Sequence, residues 1–183
     1  AYVNGNKALV TEAVGNGTAV TAIYSLAVSS GLHGQAVSFL DGSDVTVSLF
    51  AAGSAQPQYT VTVPAGEKSG GKYTAVYDIP SVAAGTYTVK VSKKNHVTRE
   101  YSVTVSGGVK MLNAEIWLSG DVNADGIIDM TDAMQINRKF NGISSVFDKG
   151  DSETKAYRLK VANVYSDNSI DTTDSGQLQR HYN

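Results

Sequence analysis

Residues Gly120–Asp132 read GDVNADGIIDMTD. Counted from Asp121, this stretch places oxygen-bearing side chains at positions one, three, five, nine and twelve of a loop, with Gly126 at position six. Twelve-residue calcium loops have this spacing, because Ca²⁺ takes about six to eight oxygen ligands and the glycine allows the sharp bend between them. We therefore predict a calcium site, with an ordinary acidic turn as the weaker alternative. The predicted ligands are the side chains of Asp121, Asn123, Asp125, Asp129 (directly or through water) and Asp132, and the backbone carbonyl of Ile127.

The loop is repeated later in the chain, with Asn163 aligned on Asp121 and Asp174 on Asp132. The alignment continues past the loops and pairs Ala133 with Ser175, Ile136 with Leu178, Phe140 with Tyr182 and Arg138 with Arg180. The first three pairs have the i, i+3, i+7 spacing of one helix face. We predict two loop–helix units that share a core, since neither helix alone could bury its apolar stripe. The predicted core residues are Ala133, Ile136, Phe140, Leu178 and Tyr182.

The second loop departs from the first at three positions. Asn163 replaces the opening aspartate, Tyr165 stands where a short oxygen ligand is expected, and Asn168 replaces the glycine. Asparagine tolerates the left-handed conformation, so the bend is retained. The tyrosine side chain is too long for an ordinary ligand, and the loop has one formal negative charge fewer. We predict a weaker second site, either filled by water and backbone oxygens or empty. Its predicted ligands are Asn163, Asp167, Ser169, Asp171 and Asp174.

Two calcium loops of the EF-hand type, each running directly into a helix and joined by a short linker helix, resemble the two F-hand repeats of a dockerin. The resemblance covers Leu118–Asn183 and is most specific in the first repeat. Dockerins are non-catalytic modules that attach cellulosomal and related secreted proteins to cohesins. The resemblance implies calcium-dependent cohesin binding by a secreted protein of a cellulosome or cell surface. The departures in the second loop predict Ca²⁺ at one strong site and a second site that is weaker or degraded.

In dockerins the partner is contacted mainly from loop positions ten and eleven and from one to two turns further along each helix. By this resemblance the partner-binding residues are Met130, Thr131, Asn137, Arg138, Thr172, Thr173, Gln179 and Arg180. An ordinary solvated helix face is the alternative. Because Met130 differs from Thr172 and Asn137 from Gln179, we predict one preferred binding orientation, led by the first helix.

Before the loops the chain is rich in residues that favour strands. Strands are predicted at 35–40, 45–51, 58–63, 72–79, 86–92, 98–105 and 110–118. Alternation such as Tyr87, Val89, Val91 gives each strand one buried face, as in an antiparallel sandwich. We predict an immunoglobulin-like β-sandwich at residues 31–117, followed by the dockerin at 118–183. Residues 1–30 carry predicted strands at 7–14 and 18–28, and they are either extra strands or the tail of a preceding domain.

A second resemblance concerns the sandwich. Ile79–Lys94 is similar to a strand pair of carboxypeptidase-regulatory-like modules and of the X-modules that precede some dockerins. An X-module implies bracing of the dockerin and no catalysis. Only two residues separate Leu118 from Asp121, so we predict a fixed interface between the modules. Trp117 is either part of that junction or an ordinary core residue of the sandwich.

Composition narrows the function classes. A net charge of −2 without a basic patch argues against a nucleic-acid partner, and no apolar run is long enough for membrane insertion. The chain has no cysteine for thiolate chemistry. Its three histidines are isolated, and the carboxylates outside the loops show no pairing, so we expect no enzyme activity.

Two other classes of function are considered for the sandwich. The alternative function is carbohydrate binding by the sandwich, with the dockerin as a calcium-stabilised accessory module. Its stacking face would consist of Tyr59, Tyr73, Tyr77, Tyr87, Tyr101 and Trp117. Tyrosines that pack in strands are the stronger interpretation. A sandwich cross-linked by a Lys–Asn isopeptide bond is a third class, for which no residue triplet stands out.

Overall fold

A computed structural model describes residues 2–4, 7–14, 18–25, 30–167 and 169–181, with side chains for 30–167 and 169–180. The strands lie at β1 Tyr2–Asn4, β2 Lys7–Val14, β3 Thr18–Ser25, β4 Gly31–Ser38, β5 Val45–Ala51, β6 Tyr59–Val63, β7 Glu67–Ser69, β8 Lys72–Pro80, β9 Gly85–Lys93, β10 Arg99–Val105, β11 Val109–Met111 and β12 Ala114–Glu115. The helices are α1 Met130–Phe140, α2 Ser152–Ala162 and α3 Thr172–His181, with a short 3₁₀ turn at Val146–Asp148. The structure therefore has a β-rich part followed by a helical part, as predicted.

Strands β4–β12 form two sheets. One has the order β10-β9-β5-β6, and the other the order β11-β4-β8-β7, with β12 also paired with β4. Strands β1–β3 form a separate antiparallel sheet. The predicted strand at 110–118 is interrupted at residues 112 and 113, where the Asn113 side chain accepts from the Gln35 backbone N–H at 3.2 Å. Leu112 lies directly over Gly34. A side-chain carbon on Gly34 would lie 1.8 Å from the Leu112 carbonyl oxygen.

The sandwich core follows from the alternation in the strands. Tyr87, Val89 and Val91 of β9 are buried, and from the other sheet Leu32 and Tyr77 join the same cluster. Burying each large apolar side chain contributes about 1.5–3 kcal/mol, so these alternating positions hold the two sheets together. The predicted β-sandwich is confirmed.

Helix α1 begins where the first loop ends. The Asp129 side chain caps the helix while the Asp132 carboxylate accepts from the Asp129 backbone N–H, which makes a capping box. Ala133 and Ile136 are fully buried and Leu178 of α3 is 4% exposed, as predicted. Tyr182 lies outside the described residues.

The prediction that Phe140 belongs to the core is wrong. Phe140 is the last residue of α1, and its side chain is 54% exposed. Phe147, from the 3₁₀ turn that follows, is buried in the helical core instead. Helical spacing placed Phe140 on the buried face, but the helix ends before a neighbour can cover it.

The two modules share a second hydrophobic cluster. Phe39 follows β4 of the sandwich, and with Trp117 and Leu118 it lies among helical residues. The other members of the cluster, all from the part of the chain after Leu118, are Val122, Ala133, Ile136, Phe147, Tyr157, Val161, Ala162 and Leu178. A continuous core of this kind leaves no flexible linker, so the predicted fixed interface is present.

Polar contacts reinforce the junction. The Tyr157 hydroxyl donates to the carbonyl of Val97 at 2.5 Å and accepts from the Trp117 backbone N–H at 3.0 Å. The Gly120 N–H donates to the carbonyl of Val161 at 2.9 Å. Trp117 is 4% exposed and its ring lies 5.2 Å from that of Tyr157. Trp117 therefore belongs to the junction rather than to the sandwich core.

Candidate calcium loops and binding face

The first loop is wrapped around two buried carboxylates. Asp121 is fully buried, and its Oδ1 and Oδ2 accept from the backbone N–H groups of Asp125 at 3.2 Å and Gly126 at 2.9 Å. Gly126 has φ 85°, the left-handed conformation predicted for the bend. Position one is thus tied to positions five and six.

Asp132 closes the loop from the first turn of α1. It is fully buried, and its Oδ1 accepts from the backbone N–H groups of Val122 at 2.9 Å and Asn123 at 3.2 Å. Its Oδ2 accepts from the Asp129 N–H at 3.0 Å. One carboxylate therefore joins both ends of the loop to the start of the helix.

These carboxylates lie in an environment that disfavours their charge. Burial raises the pKa of Asp121 to about 7, and the nearby carboxylates of Asp132 and Asp125 act in the same direction. Burial also raises the pKa of Asp132. Within the described residues, all ion pairs lie in the sandwich and none reaches this loop. A bound divalent cation would supply the missing positive charge, so the donor set fits calcium.

The remaining predicted ligands lie nearer the surface. The Asn123 side-chain amide donates to the Asp125 carboxylate at 2.7 Å, and the Asp129 carboxylate accepts from the Thr131 N–H at 2.7 Å. Among the described residues, no three acidic or histidine side chains converge into a metal centre by themselves. The four predicted aspartate ligands are therefore not gathered around one point, and a calcium ion held there would also take the Asn123 amide oxygen and the Ile127 carbonyl as ligands.

The second loop repeats the hydrogen-bond scheme of the first. Asp174 is fully buried and accepts from the backbone N–H groups of Tyr165 at 3.0 Å and Asp171 at 3.1 Å. The Asn163 amide oxygen accepts from the Asp167 N–H at 3.2 Å. The same three pairs of loop positions are joined as in the first loop, which supports the predicted duplication.

The second loop differs where its sequence differs. The Tyr165 side chain is 57% exposed, so it does not take the place of a short ligand inside the loop. The Ser169 hydroxyl donates to the carboxylates of Asp167 at 2.8 Å and Asp171 at 3.2 Å. Asn168, the predicted substitute for glycine, lies outside the described residues.

Sequence reasoning missed two features of the loops. Position four is left-handed in both, with φ 63° at Ala124 and 61° at Ser166, although neither residue type signals this. It also missed Arg158 of α2, which is 7% exposed. The Arg158 guanidinium donates to the carbonyls of Val122, Val146 and Lys149 at 2.9, 2.5 and 2.9 Å. Arg158 lies in the linker helix α2, outside both loop motifs, and it holds the backbone at position two of the first loop.

Some of the predicted partner-binding residues are exposed, and the others are half-buried. Met130 is 53% exposed, and Thr131, Thr172, Thr173 and Arg180 are also exposed. The others are half-buried: the Asn137 amide oxygen accepts from the Ser175 hydroxyl at 2.8 Å, and Arg138 donates to the carbonyl of Ser144. Asn137 thus joins α1 to α3, and Arg138 holds the turn after α1.

A shallow depression of about 270 Å³ brings part of this set together. It is lined by Met130, Met134, Asn137, Arg138, Asn141, Ile143 and Gln179. Met134 and Ile143 are 50% and 51% exposed, and sequence reasoning had not assigned them to the face. The i, i+4 spacing of Met130 and Met134 could have revealed the first of them.

The tyrosines do not form the stacking face of the carbohydrate-binding alternative. Tyr77 is 1% exposed and Tyr87 is 5% exposed, and both lie in the sandwich core. Trp117 lies in the other cluster, at the junction. Side chains buried in two separate cores cannot present one flat surface to a sugar.

The described histidines do not come together either. His33 lies 3.7 Å from the Asp78 carboxylate at the surface. His96 is half-buried: its Nε2 accepts from the Phe39 N–H at 3.0 Å, and its Nδ1 lies 2.7 Å from the Lys94 carbonyl. Burial lowers the pKa of His96. These contacts fix the neutral tautomer with the proton on Nδ1.

No helix of the described ranges is both long and apolar enough to cross a membrane. No curated protein sequence matches the chain. Two solved structures from Acetivibrio cellulolyticus are similar to it, an N-terminal and a C-terminal interface mutant of a type II cohesin–X-dockerin complex. The first is 24% identical with a TM-score of 0.34, covering 83% of this chain and 94% of that one. The second is 21% identical with a TM-score of 0.31, covering 82% and 95%.

The family comparison concerns the helical part alone. The model of the dockerin type I domain matches residues 119–183. This range includes both loops and all three helices. Residues 119–183 are therefore identified as a dockerin type I domain.

Proposed function

We propose that this chain is a calcium-dependent protein-binding unit whose dockerin domain binds a cohesin and whose sandwich braces the dockerin in the manner of an X-module. The observation that carries the proposal is the dockerin domain at residues 119–183, with two loops that share one hydrogen-bond scheme. The chain itself acts as a binding module rather than as an enzyme. Its place would be a cellulosome-type complex outside the cell.

Calcium dependence is supported by the buried carboxylates. Asp121, which opens the first loop, is fully buried, as are Asp132 and Asp174 in the first turns of α1 and α3. In the calcium-bound domain, the ion would offset their mutual repulsion and hold each loop against its helix. The first loop offers four aspartates and the second three, so the first is the stronger site.

Cohesin binding is supported by the exposed side chains next to the loops. Met130, Met134 and Ile143 present apolar surface around a depression that also includes Gln179 of α3. At the positions equivalent to Met130 and Met134, the second repeat has Thr172 and Gly176. The two repeats therefore offer different surfaces, which favours one binding orientation led by α1.

The bracing role is supported by the shared cluster and its hydrogen bonds. Phe39, Trp117 and Leu118 are each less than 5% exposed and pack with residues of all three helices. Unfolding the dockerin would uncover these side chains, so each module stabilises the other.

The experiment is a calorimetric calcium titration of the EDTA-stripped chain, followed by binding to a panel of type I and type II cohesins with and without calcium. We expect one tight and one weaker calcium event, and cohesin binding only with calcium present. Absence of calcium heat, together with an unchanged circular dichroism spectrum, would contradict the proposal. A cohesin that binds equally well in EDTA would contradict the calcium dependence.

A further inference from the structure

The bend of the first loop lies directly against a side chain of the sandwich. A side-chain carbon built on Gly126 would lie 2.3 Å from Cδ1 of Phe39, and the next nearest atoms, at 3.0 and 3.1 Å, belong to the same ring. The Phe39 ring therefore occupies the space that any other residue at position six would need. Phe39 itself is 1% exposed.

The sandwich fixes Phe39 through its backbone. The Phe39 N–H donates to Nε2 of His96 at 3.0 Å, and its carbonyl accepts from the Lys93 ammonium at 3.2 Å. Lys93 also donates to the Ser38 hydroxyl at 3.0 Å and to the Asp41 carbonyl at 2.5 Å. Because the Phe39 backbone is held on both sides and its side chain is buried, the ring is a rigid support rather than a flexible contact.

The contact leads to a predicted ligand. The Gly126 N–H donates to Oδ2 of Asp121 at 2.9 Å, so the position of the bend determines the position of that carboxylate. The geometry points to Phe39 as a positioning residue of the first calcium loop, through which the sandwich raises the calcium affinity of that loop. This inference rests on the proposed function, because it takes calcium binding as given.

The test compares two matched substitutions, Phe39→Leu and Phe147→Leu. Both residues are buried phenylalanines of the shared cluster, but only Phe39 contributes the atoms nearest to Gly126. We expect Phe39→Leu to weaken the tight calcium event by about tenfold, the usual lower limit when a group that orients metal ligands is lost. Phe147→Leu should lower the thermal midpoint in EDTA to a similar degree and leave the affinity of the tight event unchanged. Equal affinity losses in both variants would overturn the inference.

A second measurement isolates the contact itself. Gly126→Ala should cost less calcium affinity in a Phe39→Ala background than in the native chain, because the clash is removed while the strain at φ 85° stays. An equal cost in both backgrounds would overturn the inference, and Phe39→Met replaces Phe39→Ala if the latter does not fold. If the native chain shows no calcium event, the proposed function itself fails. If it binds and the Phe39 variants bind equally well, only this inference fails.

Discussion

The two loops of the dockerin are alike in backbone and unlike in their surroundings. In both, the carboxylate at position twelve accepts from positions three and nine, and position four is left-handed. The first loop in addition contacts the rest of the fold, with Phe39 against its bend and Arg158 on the carbonyl of Val122. A duplicated sequence motif can thus retain one hydrogen-bond scheme while the rest of the fold gives each copy a different role.

The largest difference is expected from removing the ligands of one loop at a time. Asp121→Ala with Asp125→Ala should remove the tight calcium event, and Asn163→Ala with Asp167→Ala only the weaker one. At calcium a thousandfold above the dissociation constant, losing the tight site lowers the free energy of unfolding by about 4 kcal/mol. Differential scanning calorimetry in calcium and in EDTA measures this. Equal losses from the two double variants would show that the loops are equivalent.

The next largest effect is expected from replacing Arg158, which of the two loops contacts only the first. Arg158→Met leaves the carbonyls of Val122, Val146 and Lys149 without this donor, and we expect a loss of about 3 kcal/mol in the free energy of unfolding. Arg180→Met is the control, since Arg180 is exposed on α3, and its expected change is within about 0.5 kcal/mol. Urea denaturation of both variants measures the two changes in the free energy of unfolding. A similar small change in each would mean that Arg158 does not support the loop.

The weaker loop can also be repaired. Asn163→Asp restores the charge at position one, and Tyr165→Asn restores a short ligand at position three. Because calcium affinity follows the number and charge of the ligands, the double variant should bind the second ion about tenfold more tightly. Calorimetric titration measures this against the native chain, with Tyr165→Phe as the control that supplies no ligand. An unchanged second event would mean that the surroundings, not the ligands, weaken this loop.

The smallest effect concerns pH. Burial lowers the pKa of His96 below the 6.5 of a free histidine; the charge of Lys93 lowers it further, whereas the Lys94 carbonyl and the charge of Asp41 raise it. A lowered pKa means that the unfolded chain binds the proton first. The contribution of His96 to stability is therefore complete above pH 6.5, and it is lost as the pH falls from 6.5 through the folded-state pKa.

Thermal midpoints between pH 5 and 8 test this for the native chain and for His96→Gln. Glutamine can still accept from the Phe39 N–H but does not titrate in this range. We expect the native midpoint to fall more steeply below pH 6.5 than that of the variant. Parallel curves for the two proteins would exclude His96 as the source of the pH dependence.

Most of the architecture of the loops could be predicted from the sequence, but few of the contacts that surround them could. Ligand spacing, the bend at Gly126 and the buried faces of Ala133 and Ile136 follow from local rules that a motif expresses fully. Phe39 could not be predicted, because its role depends on a contact with Gly126 between residues far apart in the chain. Helical periodicity failed at Phe140 because it describes the direction of a side chain and not where the helix ends.

In the sandwich, alternation predicted the buried positions of β9 but not how the last strands pair. Strands β11 and β12 pair in parallel with β4, which depends on contacts between distant parts of the chain. The close approach of Leu112 between them depends on the absence of a side chain at Gly34. Such contacts leave no periodic signal in the sequence.

The junction has a spectroscopic consequence. Trp117 is the one tryptophan of the chain, and it lies between the modules with the guanidinium groups of Arg99 and Arg158 at 5.7 and 5.0 Å from its ring. Its indole N–H finds no acceptor among the described residues. Indole fluorescence responds to nearby charge and to water, so undocking of the two modules would change the emission of this single residue. The chain thus contains an intrinsic fluorophore for the contact between sandwich and dockerin, and no label is needed to follow it.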